Sequence, residues 1–225
     1  MRTLLVALAL LWAGLTGCTL TAQNQYAEFV PPSGQGPVII LISGSNGPQA
    51  YVPFAKNLTA IGYDVALFSG YSFLAGNMSG DENLRQMIQQ VQHSPHAAPG
   101  KVGVVGLSLG GGDVLVHAST QPDIVSVVVA YYPATGDIKD KVDVVRRWTV
   151  PTLVFAGDSD NAGCCRIGTI EAMAASARAR GAPVDLVVYP HVGHGFNLEF
   201  GNFDRYATED AWQRMILALH QNLGP

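Results

Sequence analysis

The stretch KVGVVGLSLGGG, residues 101–112, decides how this chain folds. The run of valine and glycine at its start predicts a short strand buried on both faces. Residues 113–119 (DVLVHAS) continue as a helix, and Ser108 lies at the junction between Gly106 and Gly110. A G-x-S-x-G pattern between a strand and a helix is typical of a nucleophile elbow. Small neighbours permit this sharp turn, which exposes the serine hydroxyl at the carboxyl end of the strand.

Strands and helices alternate along the chain on both sides of this turn. The predicted buried strands cover residues 37–42, 63–68, 101–106, 124–131, 150–156 and 184–189, and the predicted helices cover residues 51–61, 79–92, 113–119, 167–180 and 208–223. This alternation predicts a doubly wound, mostly parallel sheet with helices on both faces, which is a three-layer αβα fold. Ligands bind such sheets outside the carboxyl ends of the strands. A glycine-rich loop at residues 70–80 carries apolar side chains that either line such a site or pack on the core.

The composition suits one compact domain. The chain has 225 residues, of which 48% are hydrophobic and 13% charged, so it is long enough to bury a sizeable core. Its net charge is −4 and it has no basic cluster. We therefore expect no nucleic-acid partner, and no feature indicates an oligomeric state.

The amino-terminal segment has the features of an export signal. Arg2 precedes an almost unbroken apolar run, Leu4–Leu15, that is too short to span a bilayer as a helix. The run ends in LTGC, residues 15–18. This ending resembles a bacterial lipobox, in which the signal peptide is cleaved before a cysteine that is then lipidated. We expect residues 1–17 to be a lipoprotein signal peptide and Cys18 to carry acyl chains. The alternative is an ordinary secretory signal with a cysteine near its cleavage site.

A lipidated cysteine implies an anchored protein. Several acyl chains on Cys18 would hold the chain durably to a membrane, with residues 18–36 as a tether and residues 37–225 as the folded domain. Thr19, rather than an aspartate, follows the cysteine. By resemblance to proteobacterial lipoproteins, this predicts the periplasmic face of the outer membrane in a bacterial cell envelope.

Two further cysteines, Cys164 and Cys165, are adjacent in the sequence. Disulfides persist in exported proteins, but a bond between neighbouring cysteines is strained, so we expect two free buried thiols. A single Cys-Cys pair is a poor metal site, and so is a His-x-x-His pair that has no carboxylate ligand at motif spacing. We expect no metal and no organic cofactor.

A serine hydroxyl needs a neighbouring base, and that base needs a group to orient it. In the elbow fold these partners follow in the order serine, acid, histidine. Asp158 and Asp160 follow the last predicted strand but one, and His191 and His194 follow the last. The sequence thus offers an acid and a base at strand ends. The alternative is a glycine-rich turn with an incidental serine.

Four motifs together resemble one family. They are GLSLGG at residues 106–111, YYP at 131–133, GDSD at 157–160 and YPHVGHGF at 189–196. In this combination they are similar to the dienelactone hydrolase family of the α/β-hydrolase fold, over roughly residues 37–223. The resemblance implies that Ser108 is the nucleophile, Asp160 the acid and His194 the base. Asp158 and His191 are the alternatives.

This chain departs from the family at the nucleophile. Founding members carry a cysteine there, and a glutamate beside it in the loop after the first core strand. Here the nucleophile is Ser108, and that loop is SGSNG, residues 43–47, which has no carboxylate. The two changes argue against dienelactone as the substrate of this chain. The same loop would supply the Ser45 N–H as an oxyanion donor beside the N–H of Leu109, and Asn46 would add a side-chain donor.

These observations favour a serine hydrolase that cleaves a carboxylic ester, thioester or lactone through an acyl-enzyme. The absence of a large lid insertion from the sequence predicts a small substrate. The main alternative is a non-catalytic envelope lipoprotein that uses the same fold as a binding module. A hydrolase of envelope lipids is a third hypothesis, which the anchor alone favours.

Overall fold

The elbow stretch lies at the centre of a mostly parallel sheet. The computed structural model describes residues 25–74, 76–136, 138–199 and 201–224. Over these residues the strands are β1 (Ala27–Phe29), β2 (Val38–Ile42), β3 (Asp64–Phe68), β4 (Val102–Leu107), β5 (Val125–Tyr131), β6 (Thr152–Gly157) and β7 (Val184–Tyr189). Their order in the sheet is β1-β3-β2-β4-β5-β6-β7, and every neighbouring pair except β1–β3 is parallel. The predicted sheet is confirmed, with β4 in its middle.

Helices cover both faces of this sheet. They are α1 (Val52–Ala60), α2 (Gly80–Gln92), α3 (Leu109–His117), α4 (Lys141–Arg146), α5 (Ile167–Arg178) and α6 (Arg205–Leu223). The buried residues of α1 and α6 pack against one face of the sheet, and those of α2 to α5 pack against the other. The three-layer αβα prediction is therefore confirmed. No helix in the described part of the chain combines the length and the apolar character that crossing a bilayer requires.

The starts of two helices show how local sequence sets these bounds. Ser79 and Glu82 form the capping box that their spacing predicts, with the Ser79 N–H donating to Glu82 Oε2 at 2.9 Å and the Glu82 N–H donating to Ser79 Oγ at 3.3 Å. Helix α4 was not predicted from the sequence, and it is only six residues long. Its cap is Asp140, whose Oδ1 accepts from the Asp143 N–H at 2.9 Å.

Strand β1 lies within residues 18–36, the segment predicted to be a tether. Residues 27–29 pair antiparallel with β3, with Ala27 opposite Leu67, and the ring of Tyr26 stacks on Phe68 at a centroid distance of 5.0 Å. A three-residue edge strand is too short to show a period of its own. Residues 26–29 therefore pack on the sheet, and the tether stays a prediction. The predicted signal peptide and Cys18 lie outside the described residues.

Candidate active site

Ser108 holds the strained turn that its sequence predicts. It joins β4 to α3 with φ of 55° and ψ of −113°, a backbone region that non-glycine residues rarely occupy. A Cβ on Gly106 would lie 2.3 Å from the Gly110 carbonyl oxygen, and a Cβ on Gly110 would lie 2.6 Å from the carbonyl oxygen of Ile42. The two glycines are therefore required by close packing around the turn.

Three predicted residues meet at the carboxyl edge of the sheet. Ser108 Oγ lies 3.0 Å from His194 Nε2, and His194 Nδ1 lies 2.7 Å from Asp160 Oδ2. The serine and the histidine are 86 residues apart in the sequence, and the histidine and the aspartate are 34 apart. The Asp160 side chain is only 2% exposed, whereas that of His194 is 26% exposed. The carboxylate is thus shielded from water, while the imidazole reaches the surface.

The alternative acid and base lie elsewhere. Asp158 is exposed, and its Oδ1 accepts from the backbone N–H of His191 at 2.7 Å and from the hydroxyl of Ser159 at 2.9 Å. By contrast, the Oδ1 of Asp160 accepts from the Ala162 N–H at 2.9 Å, which leaves Oδ2 facing the imidazole. The structure therefore brings Asp160, and not Asp158, to the imidazole of His194.

The ring of Tyr132 packs edge-on against His194, a contact that the sequence did not predict. The ring centroids are 4.8 Å apart. The Tyr132 hydroxyl donates to Asn197 Oδ1 at 2.6 Å, and Asn202 Nδ2 donates to the carbonyl oxygen of His194 at 3.0 Å. Burial raises the pKa of Tyr132 well above its ordinary value, so its hydroxyl keeps its proton. The Tyr-Tyr-Pro motif was the sequence signal that could have indicated Tyr132 as a site residue.

The predicted oxyanion donors belong to two segments that flank Ser108. Leu109 is the first residue of α3, and the first N–H groups of a helix have no acceptor within it. A Cβ on Gly44 would lie 3.2 Å from the Cβ of Ser108, so the loop that contains Ser45 passes directly beside the serine. Asn46 Oδ1 accepts from the Tyr51 hydroxyl at 2.8 Å. The donor roles of Leu109, Ser45 and Asn46 stay predictions.

The glycine-rich segment after β3 packs partly on the core. Residues Gly70–Leu74 form a short 3₁₀ helix, and the Gly70 N–H donates to Ser43 Oγ at 3.1 Å. Phe73 is buried in the core, whereas Tyr71 and Leu74 are 54% and 69% exposed. The segment therefore packs on the core through Phe73, and its role in lining a substrate site stays a prediction.

Two clefts flank the histidine loop. One of about 880 Å³ is lined by residues that include His191, His194 and Asn202. The other, of about 620 Å³, has a mostly apolar wall that includes Phe54 and Trp212. Phe203 lines both clefts. The first cleft therefore opens beside the imidazole of His194, and Ser108 lines neither of these two clefts.

The cysteine prediction was wrong. Cys164 and Cys165 are joined in a disulfide, in the loop between β6 and α5. Neighbouring cysteines can bond to each other where the loop turns, and the Cys165 N–H donates to the Ala162 carbonyl oxygen at 2.9 Å within such a turn. Cys165 also approaches the acid and the base: its Sγ, an Asp160 carboxylate oxygen and a His194 ring nitrogen all lie within 4.8 Å of one another.

The elbow serine, the imidazole and the buried carboxylate, held at the carboxyl edge of a mostly parallel sheet, define a protein of the α/β-hydrolase class. Residues 74–223 match the Dienelactone hydrolase family. The chain belongs to the dienelactone hydrolase family, and it is a hydrolase that acts on ester bonds.

Relatives and solved structures agree with this assignment. A Yersinia pestis protein named "Putative carboxymethylenebutenolidase" is 27% identical over 75% of this chain and 67% of its own length. An Escherichia coli protein of the same name is 30% identical over 50% of this chain, and the match spans 43% of the relative. The crystal structure of a "Putative Dienelactone Hydrolase" from Klebsiella pneumoniae superposes with a TM-score of 0.73 at 19% identity, covering 88% of this chain and 99% of that one. Est1E from Butyrivibrio proteoclasticus gives 0.65 at 17% identity, with 87% and 98% covered. At these identities the two structures show the fold alone.

Proposed function

We propose that this chain hydrolyses a carboxylic ester, thioester or lactone through Ser108, His194 and Asp160. The observation that carries the proposal is the pair of hydrogen-bond distances, 3.0 Å and 2.7 Å, that join the three side chains in series. Such a series leaves the imidazole Nε2 free to accept the serine proton while the carboxylate holds Nδ1–H.

The reaction then runs in two halves. His194 takes the proton of Ser108 as its Oγ attacks the carbonyl carbon, and the N–H groups of Leu109 and Ser45 stabilise the oxyanion. One such donor typically contributes about 3 kcal/mol to transition-state stabilisation. His194 next protonates the leaving alcohol or thiol, which leaves an acyl-enzyme. The same imidazole deprotonates a water molecule that releases the acid.

The proposed substrate is a small ester rather than the family's dienelactone. The Yersinia and Escherichia relatives bear the name carboxymethylenebutenolidase. In this chain the nucleophile is Ser108 and the loop at residues 43–47 lacks a carboxylate, two departures that favour a simpler ester. A series of p-nitrophenyl esters of increasing acyl length would test this, and the proposed small substrate predicts the highest kcat/KM for the shortest chains.

A fluorophosphonate tests the serine directly. We expect intact-mass analysis to find one adduct on the parent protein and none on Ser108→Ala. Ser159→Ala is the matched control, because it removes an exposed serine from the same edge of the sheet, and it should still be labelled once. A folded parent that takes no label would contradict the proposal and favour the non-catalytic binding module.

We also propose that the protein is a lipoprotein anchored through Cys18, on the periplasmic face of the outer membrane. Strand β1 supports an active-site edge that faces the bilayer, because Ala27 pairs with Leu67 near the carboxyl end of β3. The nine residues from Cys18 to Tyr26 reach at most about 30 Å when extended. Metabolic labelling with a palmitate analogue should mark the parent and not Cys18→Ala, and only the parent should sediment with membranes.

A further inference from the structure

The catalytic acid and base have a third neighbour that the proposed reaction does not use. Cys165 Sγ lies within 4.8 Å of both a carboxylate oxygen of Asp160 and a ring nitrogen of His194. In the structure this sulfur is bonded to Cys164, so it is not a thiolate. Opening the disulfide would add a thiol to a carboxylate and an imidazole.

We propose that reduction of the Cys164–Cys165 disulfide opens a zinc site formed by Cys165, Asp160 and His194, and that zinc bound there stops hydrolysis. The loss of hydrolysis rests on the proposed function, whereas the metal site itself does not. While the disulfide is intact, Asp160 and His194 stay free of metal.

The ligand set suits zinc. Zn²⁺ binds thiolate, imidazole and carboxylate in tetrahedral sites, and three protein ligands leave a fourth position for water. Asp160 and Cys165 are 5% and 4% exposed, so a cation between them would meet little competing solvent. With bonds of about 2.0 to 2.3 Å to the metal, the ligand atoms need to lie roughly 3.5 Å apart. Asp160 Oδ2 and His194 Nδ1, which lie 2.7 Å apart, must separate to that spacing, and the freed Cys165 side chain closes the remaining gap by rotating about its Cα–Cβ bond.

The backbone keeps this sulfur close after reduction. The Cys165 N–H donates to the Ala162 carbonyl oxygen at 2.9 Å, and the Gly136 N–H donates to the Cys164 carbonyl oxygen at 2.6 Å. Neither hydrogen bond involves the sulfur atoms. The loop therefore has contacts of its own that hold Cys165 beside the acid and the base.

The chemistry balances with a phosphine as reductant. Its phosphorus attacks the sulfur of Cys164, which is the less buried of the two cysteines, and the thiolate of Cys165 leaves with the electron pair of the S–S bond. Water then releases Cys164 as a thiol, and the phosphine becomes a phosphine oxide. Zn²⁺ binds the Cys165 thiolate, or displaces the proton if the thiol has formed.

Zinc would inactivate the base by fixing the wrong tautomer. Nδ1 is the nitrogen of His194 that faces Asp160, at 2.7 Å. When Nδ1 binds the metal, the ring proton moves to Nε2, which lies 3.0 Å from Ser108 Oγ. That nitrogen then donates a proton instead of accepting one, so Ser108 is not activated.

Two serine variants form a matched test. Cys164→Ser and Cys165→Ser both lack the disulfide, but only Cys164→Ser keeps the thiol beside Asp160 and His194. Co²⁺ is the spectroscopic probe. Under anaerobic conditions we expect Cys164→Ser to bind one Co²⁺ with a thiolate charge-transfer band and tetrahedral d–d bands. Cys165→Ser should show no such band, and the parent should show it only after phosphine treatment.

Activity provides the second readout. One equivalent of Zn²⁺ should abolish ester hydrolysis by Cys164→Ser and by the reduced parent, and EDTA should restore it. The same addition of Zn²⁺ should not change the hydrolysis rates of Cys165→Ser and of the oxidised parent. A Cys164→Ser spectrum without a thiolate band, or equal zinc sensitivity of the two variants, would overturn the proposal. If no form hydrolyses any ester, the cobalt spectra still decide the metal site, and only the proposed function fails.

Discussion

At the scale of single residues, the site depends on which aspartate meets the imidazole. Two aspartates stand two positions apart, yet Asp160 lies 2.7 Å from His194 Nδ1 while Asp158 accepts from the backbone of His191. A side chain that merely sits nearby cannot hold the imidazole tautomer that accepts the serine proton. The two positions therefore allow a direct comparison of one chemical change at two places.

Asp160→Asn should lower kcat by roughly 10⁴-fold, because an amide in this place favours the wrong tautomer of His194. Asp158→Asn is the control, since it makes the same change outside the series of hydrogen bonds, and we expect its kcat to stay within a few fold of the parent. Steady-state hydrolysis of a p-nitrophenyl ester measures both. Similar losses in the two variants would contradict the assignment of the acid.

Gly44 gives a second test at this scale. A Cβ there would lie 2.3 Å from the Tyr51 hydroxyl oxygen and 3.2 Å from the Cβ of Ser108, so Gly44→Ala must displace the loop beside the nucleophile. We expect kcat/KM to fall by about 10²-fold, the loss that follows when an oxyanion donor is moved. Gly168→Ala is the control, because a Cβ at Gly168 meets no atom within 4 Å, and it should keep the parent's kcat/KM.

At the scale of elements, helix α3 carries a buried carboxyl that no catalytic step requires. Asp113 lies four residues after Leu109, and its Oδ2 is buried without a hydrogen-bond partner among the described residues. Burial raises the pKa of Asp113 from 3.8 to about 7. Because the folded state binds this proton more tightly than the unfolded state, the contribution of Asp113 to stability falls as pH rises from 3.8 to about 7.

Asp113→Asn should therefore stabilise the protein at high pH and matter less at low pH. The raised pKa implies that Asp113 lowers the free energy of unfolding by roughly 2 to 3 kcal/mol more at about pH 8 than at about pH 5. Thermal unfolding of parent and variant at both pH values measures this, with Asp185→Asn on β7, whose side chain is exposed, as the control. A Tm gain that is equal at the two pH values would contradict the account.

At the scale of the whole molecule, the antiparallel edge strand joins the amino-terminal segment to the catalytic edge. Strand β1 pairs with β3, and Tyr26 stacks on Phe68 beside it. The chain thus enters the fold at the same edge where Ser108 and His194 meet. This arrangement makes residues 26–29 part of the folded domain.

Truncations test this boundary. A chain that begins at Gln25 should unfold at the same temperature as a chain that begins at Cys18, whereas a chain that begins at Val30 lacks β1 and the Tyr26 ring. We expect that second truncation to lower the free energy of unfolding by about 2 kcal/mol, from lost apolar burial and edge hydrogen bonds. Urea unfolding of both forms measures it. Equal stabilities of the two truncated chains would contradict a structural role for β1.

The sequence by itself determined the layered α/β fold and the elbow at Ser108. It also limited the acid to Asp158 or Asp160 and the base to His191 or His194. Runs of valine and isoleucine, the glycines around the serine and the Ser79–Glu82 cap are local signals, and they act over a few residues of chain. The sequence did not predict helix α4, because this helix is too short to show a helical period.

Only the tertiary structure decided which aspartate meets His194, that Tyr132 packs against its ring, that β1 completes the sheet and that Cys165 is bonded beside the catalytic pair. Each of these facts depends on segments far apart in the chain. Asp160 and His194 are 34 residues apart, and Ser108 and His194 are 86 apart. Local pattern fixes where a strand ends, but the packing of the whole sheet fixes which side chains face one another there.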